Sequence, residues 1–178
     1  VLEREEVEDG EKLLEEAEKL HVCFLTAGDP MAATTHVDLR IRAIERGIET
    51  KIFHGVSSVS ASASLLGLQI YKFGRVISIV KPSENYFPVS PYDMIRENVK
   101  AGMHSLLLLD ISDECMKANE AMEILIEMEK RKKEGIIKEN TLIAVVARVS
   151  SDNALARAGY IKDLIEKDFG KTPHSIVI

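Results

Sequence analysis

The chain has 178 residues, 46% of them hydrophobic and 29% charged, the profile of a folded soluble protein rather than a disordered one. Its 23 Lys and Arg against 29 Asp and Glu leave a net charge of −6, which argues against nucleic-acid binding through phosphates. Two cysteines far apart in the chain, Cys23 and Cys115, argue against a disulfide scaffold and favour a reducing, cytoplasmic setting. The apolar runs Leu106 to Leu109 and Leu142 to Val146 fall far short of the roughly 18 residues of a membrane span. The acidic start, Val1 to Glu8, does not read as a secretory signal.

Strand-length apolar runs alternate with segments of helical period, the pattern of an α/β fold. Glu11 to Leu20 places Leu13, Leu14, Ala17 and Leu20 on one helical face. Val22 to Thr26 predicts a short buried strand, with Cys23 a small buried hydrophobe in it, ending at Gly28-Asp29-Pro30. Thr35 to Arg46 predicts a helix stopped by Gly47, and Thr50 to His54 a second strand. Gly55 to Leu68 predicts a serine-rich turn leading into a tightly packed helix. The pattern resets at Tyr71-Lys72-Phe73-Gly74, dividing the chain into lobes 1–73 and 74–178. Val76 to Val80 predicts a strand, and a loop with three prolines leads to a helix opened by Pro91. Ser105 to Ile111 predicts a strand and Ala118 to Lys133 a long amphipathic helix. The basic cluster Lys130 to Lys133 at that helix's end offsets its dipole. Thr141 to Arg148 and Ala156 to Tyr160 predict strands, Ile161 to Phe169 a helix, and His174 to Ile178 a final strand.

The sharpest local feature is Gly28-Asp29-Pro30 directly after a strand, because ligands of open α/β sheets bind at the carboxyl ends of strands. An ordinary capped turn accounts for the tripeptide equally well. Ser57-Ser58-Val59-Ser60-Ala61 occupies the corresponding place after the next strand, where small residues admit a ligand or a packed helix. Tyr71, Phe73, Tyr86, Phe87 and Tyr92 are five of the nine aromatic residues, crowded into a ligand surface or a packing plug. The five histidines show no metal-ligand spacing, and no nucleophile elbow or phosphate loop is present. The residues thus point to a two-lobed α/β protein with a small-molecule cleft near Asp29 and Ser58.

Several segments together resemble the diphthine synthase family, a branch of the tetrapyrrole methylase group of S-adenosylmethionine-dependent methyltransferases. They are FLTAGDPMAATTH (Phe24 to His36), LRIRA (Leu39 to Ala43), GLQIYKFG (Gly67 to Gly74), NYFPVSPYD (Asn85 to Asp93), AGMHSLLLLDI (Ala101 to Ile111), ANEAM (Ala118 to Met122) and RAGYIKDLIEKDFGKTPH (Arg157 to His174). The combination of GDP-x-x-ATTH, YKFG and DFG-x-x-PH carries the specificity.

The resemblance implies a cofactor cleft between two α/β lobes, a homodimer, and methylation of a modified histidine on translation elongation factor 2 in diphthamide biosynthesis. It places contacts to S-adenosyl-L-methionine, or to the product S-adenosyl-L-homocysteine, on Asp29, Ala32, Ser58, Val59, Leu109, Val149 and His174. Methyl transfer from a sulfonium is a displacement that requires alignment above all, and the sequence assigns no catalytic base. The family pattern also implies an N-terminal strand with a glycine-bearing loop before Val1, and a further strand and helix after the PH segment. Ser150 stands where glycine is usual, Tyr86 where tryptophan is common, and the Ser112 to Lys117 connection is short for the family. Two other readings stay open, a tetrapyrrole-ring methylase and a non-catalytic binding or dimerisation module. No nucleic acid, membrane or metal is expected.

Overall fold

A computed structural model describes Leu2, residues 4–112 and residues 114–178. Val1 and Glu3 of the acidic start, and Asp113 of the Ser112 to Lys117 connection read above, lie outside the described residues. The chain forms two compact units, Val1–Ser58 and Val59–Ile178.

The first unit is built from three helices: α1 (Arg4–Asp9), α2 (Glu11–Ala17) and α3 (His36–Glu45). Gly10 separates α1 from α2 at φ 63°, and a Cβ there would stand 2.6 Å from Leu39 Cδ1. Arg42 on α3 donates to the Asp9 and Glu8 carbonyls at 2.6 and 3.1 Å, capping the negative end of α1. Arg46 pairs with Glu11 at 2.6 Å. Past α3, Gly47 turns at φ 74° while Ile48 N–H bonds the Ala43 carbonyl at 2.9 Å, the stop expected from the sequence.

Neither expected strand of this unit forms. Residues 21–26 and 50–56 are without ladder pairing, and several side chains a buried strand would hide are in water, while Phe24 and Ile52 are half-buried. Leu25 is 90% exposed, Phe53 75%, and Cys23 is exposed rather than buried. A strand is a property of a pair, and among the described residues these runs have no neighbour to complete a ladder. The first helix also ends at Ala17, three residues early, leaving Leu20 exposed.

The second unit follows the sequence closely. After α4 (Ser58–Leu65), β1 (Ile77–Ile79), α5 (Ser90–Lys100), β2 (Leu106–Leu109), α6 (Ala118–Lys132), β3 (Leu142–Ala147), β4 (Leu155–Tyr160), α7 (Ile161–Leu164) and β5 (His174–Val177) make a mixed sheet ordered β1-β2-β5-β3-β4. β1 and β2 run parallel, and β5 lies antiparallel to both β2 and β3. Ile77, Ile79, Leu107, Ile143, Val145 and Ile176 join Tyr92 and Ile95 of α5 and Met122, Leu125 and Met128 of α6 in one buried cluster. Each such side chain removed from water contributes on the order of 2 kcal/mol.

Pro91 lies one residue inside α5, and the basic end of α6 is a helix end tied to acidic neighbours. Lys132 pairs with Asp93 at 2.8 Å, Arg131 with Glu127 at 3.0 Å while lying over the Phe87 ring. The helix expected to reach Phe169 stops at Leu164, because Asn119 Nδ2 takes the Ile165 and Lys167 carbonyls out of the helical pattern. Phe169 is buried all the same. The aromatic residues from Tyr71 to Tyr92 do not form one surface. Tyr92 is wholly buried, its hydroxyl donating to Glu129 at 2.7 Å, and burial pushes it up to about 12, whereas Tyr71 and Tyr86 are mostly exposed.

The YKFG segment lies beside the start of β2. Gly74 N–H donates to the His104 carbonyl at 2.9 Å, and a Cβ at Gly74 would stand 2.2 Å from Asn98 Oδ1. Asn98 is itself buried and bonded to Arg75 on both backbone groups and to Ser105 Oγ. Glycine is the residue that fits against it.

Candidate functional site

The Gly28-Asp29-Pro30 turn is held from three sides. Asp29 Oδ1 accepts the Met31 N–H at 2.8 Å, and Oδ2 accepts His54 Nδ1–H at 2.9 Å and the Gly55 N–H at 3.3 Å. The Met31 N–H first, then the His54 and Gly55 donors, hold the Asp29 carboxyl below the usual carboxylate range, so it stays ionised. His36, opening α3, donates from Nδ1 to the Pro30 carbonyl at 2.9 Å, and its ring meets Phe24 edge-on at 5.0 Å. The two outer polar residues of GDP-x-x-ATTH are thus the clamps of one turn.

Gly28 adopts φ 79°, open to glycine at little cost. Gly55 has no such angle but has no room: a Cβ would stand 2.2 Å from the Gly28 carbonyl oxygen. The turn after residues 22–26 and the segment after residues 50–53 therefore touch backbone to backbone, joined by Asp29. Asp29 caps the turn as the alternative reading proposed, while its side chain keeps 12% exposure. Ala32 follows within the turn, half-buried, its N–H reaching the Asp29 carbonyl at 3.5 Å. Ser58 is exposed at the first position of α4, and Val59 is half-buried next to it.

In the second unit the structure brings Leu109, Val149 and His174 to one end of the three central strands. β2 ends at Leu109, β3 runs out into Val149, and β5, antiparallel to both, begins there with His174 opposite Ala147. Leu109 and His174 are buried at 8% and 5% exposure, and Val149 is half-buried. Both nitrogens of His174 are engaged. Nδ1 accepts the Ala118 N–H at the start of α6 at 3.2 Å, and Nε2 donates to the Lys171 carbonyl at 3.2 Å. Burial holds the imidazole below its ordinary value and therefore neutral.

Three further residues, Asp110 and Arg148 at these strand ends and His54 beside Asp29, were not singled out from the sequence. Asp110, just past β2, accepts the Lys81 N–H at 3.0 Å and the Ser112 N–H at 2.9 Å, which hold its carboxyl low. It repeats the role of Asp29, and an Asp right after an apolar run was the available signal. Arg148, at φ 49°, fastens the loops past β3 and before β5 through the Asn153, Phe169 and Lys171 carbonyls. The signal available at His54 was a polar residue closing the apolar run before Gly55. The described residues hold no cluster of three or more metal-ligating side chains.

The family model described as Tetrapyrrole (Corrin/Porphyrin) Methylases matches residues 1–165. The chain is 53% identical over 184 aligned positions to a diphthine synthase of Methanocaldococcus jannaschii, covering all of this chain and 71% of that protein. A crystal structure from Entamoeba histolytica superposes with a TM-score of 0.91 at 36% identity, covering 96% of this chain and 69% of that one. A crystal structure of diphthine synthase superposes at 0.86 with 31% identity, covering 99% and 67%.

Proposed function

The chain belongs to the tetrapyrrole methylase family and, within it, to the diphthine synthases, and from that membership we propose that S-adenosylmethionine is its methyl donor and translation elongation factor 2 its acceptor. It is a methyltransferase of diphthamide biosynthesis. The observation that carries the proposal is identity above one half to a diphthine synthase along the whole of this chain. The residues of the Asp29 turn and those at the strand ends of the second unit are consistent with such a cofactor. Asp29 is an ionised carboxylate suited to a sulfonium cation, Ser58 offers a hydroxyl, and Leu109 and Val149 offer apolar surface. Asp29, Ala32, Ser58, Val59, Leu109, Val149 and His174 are the residues proposed to hold it, His174 through its main chain and ring edge because both ring nitrogens are engaged.

When bound, S-adenosylmethionine supplies a methyl carbon on a positively charged sulfur. The chain's own part is to bind and align the acceptor nitrogen. The clamps on the turn serve that end: Asp29 and His36 fix the backbone from which ligand contacts are made, so alignment does not depend on a mobile loop. We further propose a functional division at 73/74, a homodimer, and a cytoplasmic location. No helix among the described residues is long and apolar enough to cross a membrane.

Calorimetry with S-adenosylmethionine, which carries the sulfonium that S-adenosylhomocysteine lacks, tests the reading. Saturable binding by the chain, weakened by Asp29→Asn, is expected. No heat from the unsubstituted chain contradicts the assignment of the cofactor.

A further inference from the structure

Asp29 and His54 form a pair whose chemistry exceeds what capping a turn requires. An ionised carboxylate only accepts, so a His54 ring with a single hydrogen holds it on Nδ1, at the 2.9 Å contact. That leaves Nε2 with its lone pair, and the ring is 73% exposed, so Nε2 is open to a ligand. Among the described residues no hydrogen bond reaches Nε2. A carboxylate that orients one imidazole nitrogen while the other faces solvent is the arrangement of a proton acceptor. Gly55 keeps the pair together, because the backbone behind His54 approaches Gly28 more closely than any side chain allows.

We propose that His54 Nε2 takes the proton from the acceptor nitrogen before methyl transfer, with Asp29 as the positioning residue that sets its tautomer. The inference rests on the functional reading above, in which the acceptor is an amine of the elongation factor's modified histidine. An alkylamine is mainly protonated near neutral pH, and a protonated nitrogen has no electron pair to give. In the proposed step one N–H bond of the alkylammonium breaks and leaves its electron pair on nitrogen. The proton forms a new bond to Nε2, and the resulting imidazolium is stabilised by the Asp29 carboxylate. The freed pair becomes available for the bond to carbon, and the imidazolium later returns its proton to water.

His54→Asn separates this role from turn capping, because the asparagine amide reproduces the donor at Nδ1 and lacks Nε2. Expected is methyl transfer slowed about 100-fold or more, partly restored by added free imidazole. S-adenosylhomocysteine affinity should stay within about twofold of the unsubstituted chain, since the carboxylate keeps its partner. A second readout needs no activity: nitrogen-15 spectra of the chain should find His54 in the Nδ1–H tautomer, shifting toward Nε2–H in Asp29→Asn. Transfer by His54→Asn within about threefold of the unsubstituted chain overturns the proposal, as does an Nε2–H tautomer in that chain. An unsubstituted chain that transfers no methyl counts against the functional reading instead, and the tautomer then decides this inference alone.

Discussion

The two units use similar sequence to different effect. Leu106–Leu109 and residues 22–26 are both short apolar runs followed closely by an aspartate that caps a turn. The first is a strand between β1 and β5 with Leu107 wholly buried, whereas the second has no ladder and leaves Leu25 in water. The aspartate turn forms in both. Each turn has a local hydrogen bond, to Met31 and to Ser112, besides one to a distant segment, whereas a strand forms only where a second segment completes a ladder.

The largest effect expected from this contrast is in the cores. Leu125→Ala in α6 should cost about 2–5 kcal/mol in urea denaturation, because it empties a fully buried site. Leu25→Ser or Phe53→Ser should change stability by about 0.5 kcal/mol or less, as for other exposed positions. Equal losses would break the contrast. Next come Gly55 and Gly74, whose Cβ would each stand 2.2 Å from another group. Gly55→Ala and Gly74→Ala should each cost about 1–3 kcal/mol. Only the former should also weaken S-adenosylhomocysteine in calorimetry, since it opens the Asp29 turn.

The acid response should differ between the units. His174 is depressed by burial, so its contribution to stability is full above about pH 6.5 and lost as pH falls through its lower folded value. Asp29 is depressed by its donors, and its contribution is full above about pH 4 and lost only below that. Melting temperature against pH should therefore begin to fall near pH 6.5, and His174→Asn should flatten that first decline. A small gain is expected at Ser150, held at φ 68° by the loop past β3: Ser150→Gly should raise stability by about 1 kcal/mol in the same denaturation assay.

Much of the second unit was legible because its elements are long or strongly apolar. The spacing of Met122, Leu125 and Met128 and the all-leucine β2 leave one assignment each. The first unit's strands were misread because composition reports a preference for burial and carries no information on whether a pairing partner is present. Shortening of the last helix depended on Asn119, 46 residues away from the carbonyl it takes. The site was legible where the clamp is local, as at Asp29. The resemblance explains itself physically at Gly74, which Asn98 leaves no room for a side chain, and at Ser150, whose left-handed backbone accounts for the usual glycine. His54 was not legible as a functional residue, because its role depends on which nitrogen faces Asp29.

Incubating the chain with methyl-labelled S-adenosylmethionine and elongation factor 2 bearing the unmethylated intermediate tests the central claim most directly. The account predicts label on the factor's modified histidine and none on a factor lacking the intermediate. Binding of the cofactor without any label on the factor contradicts it.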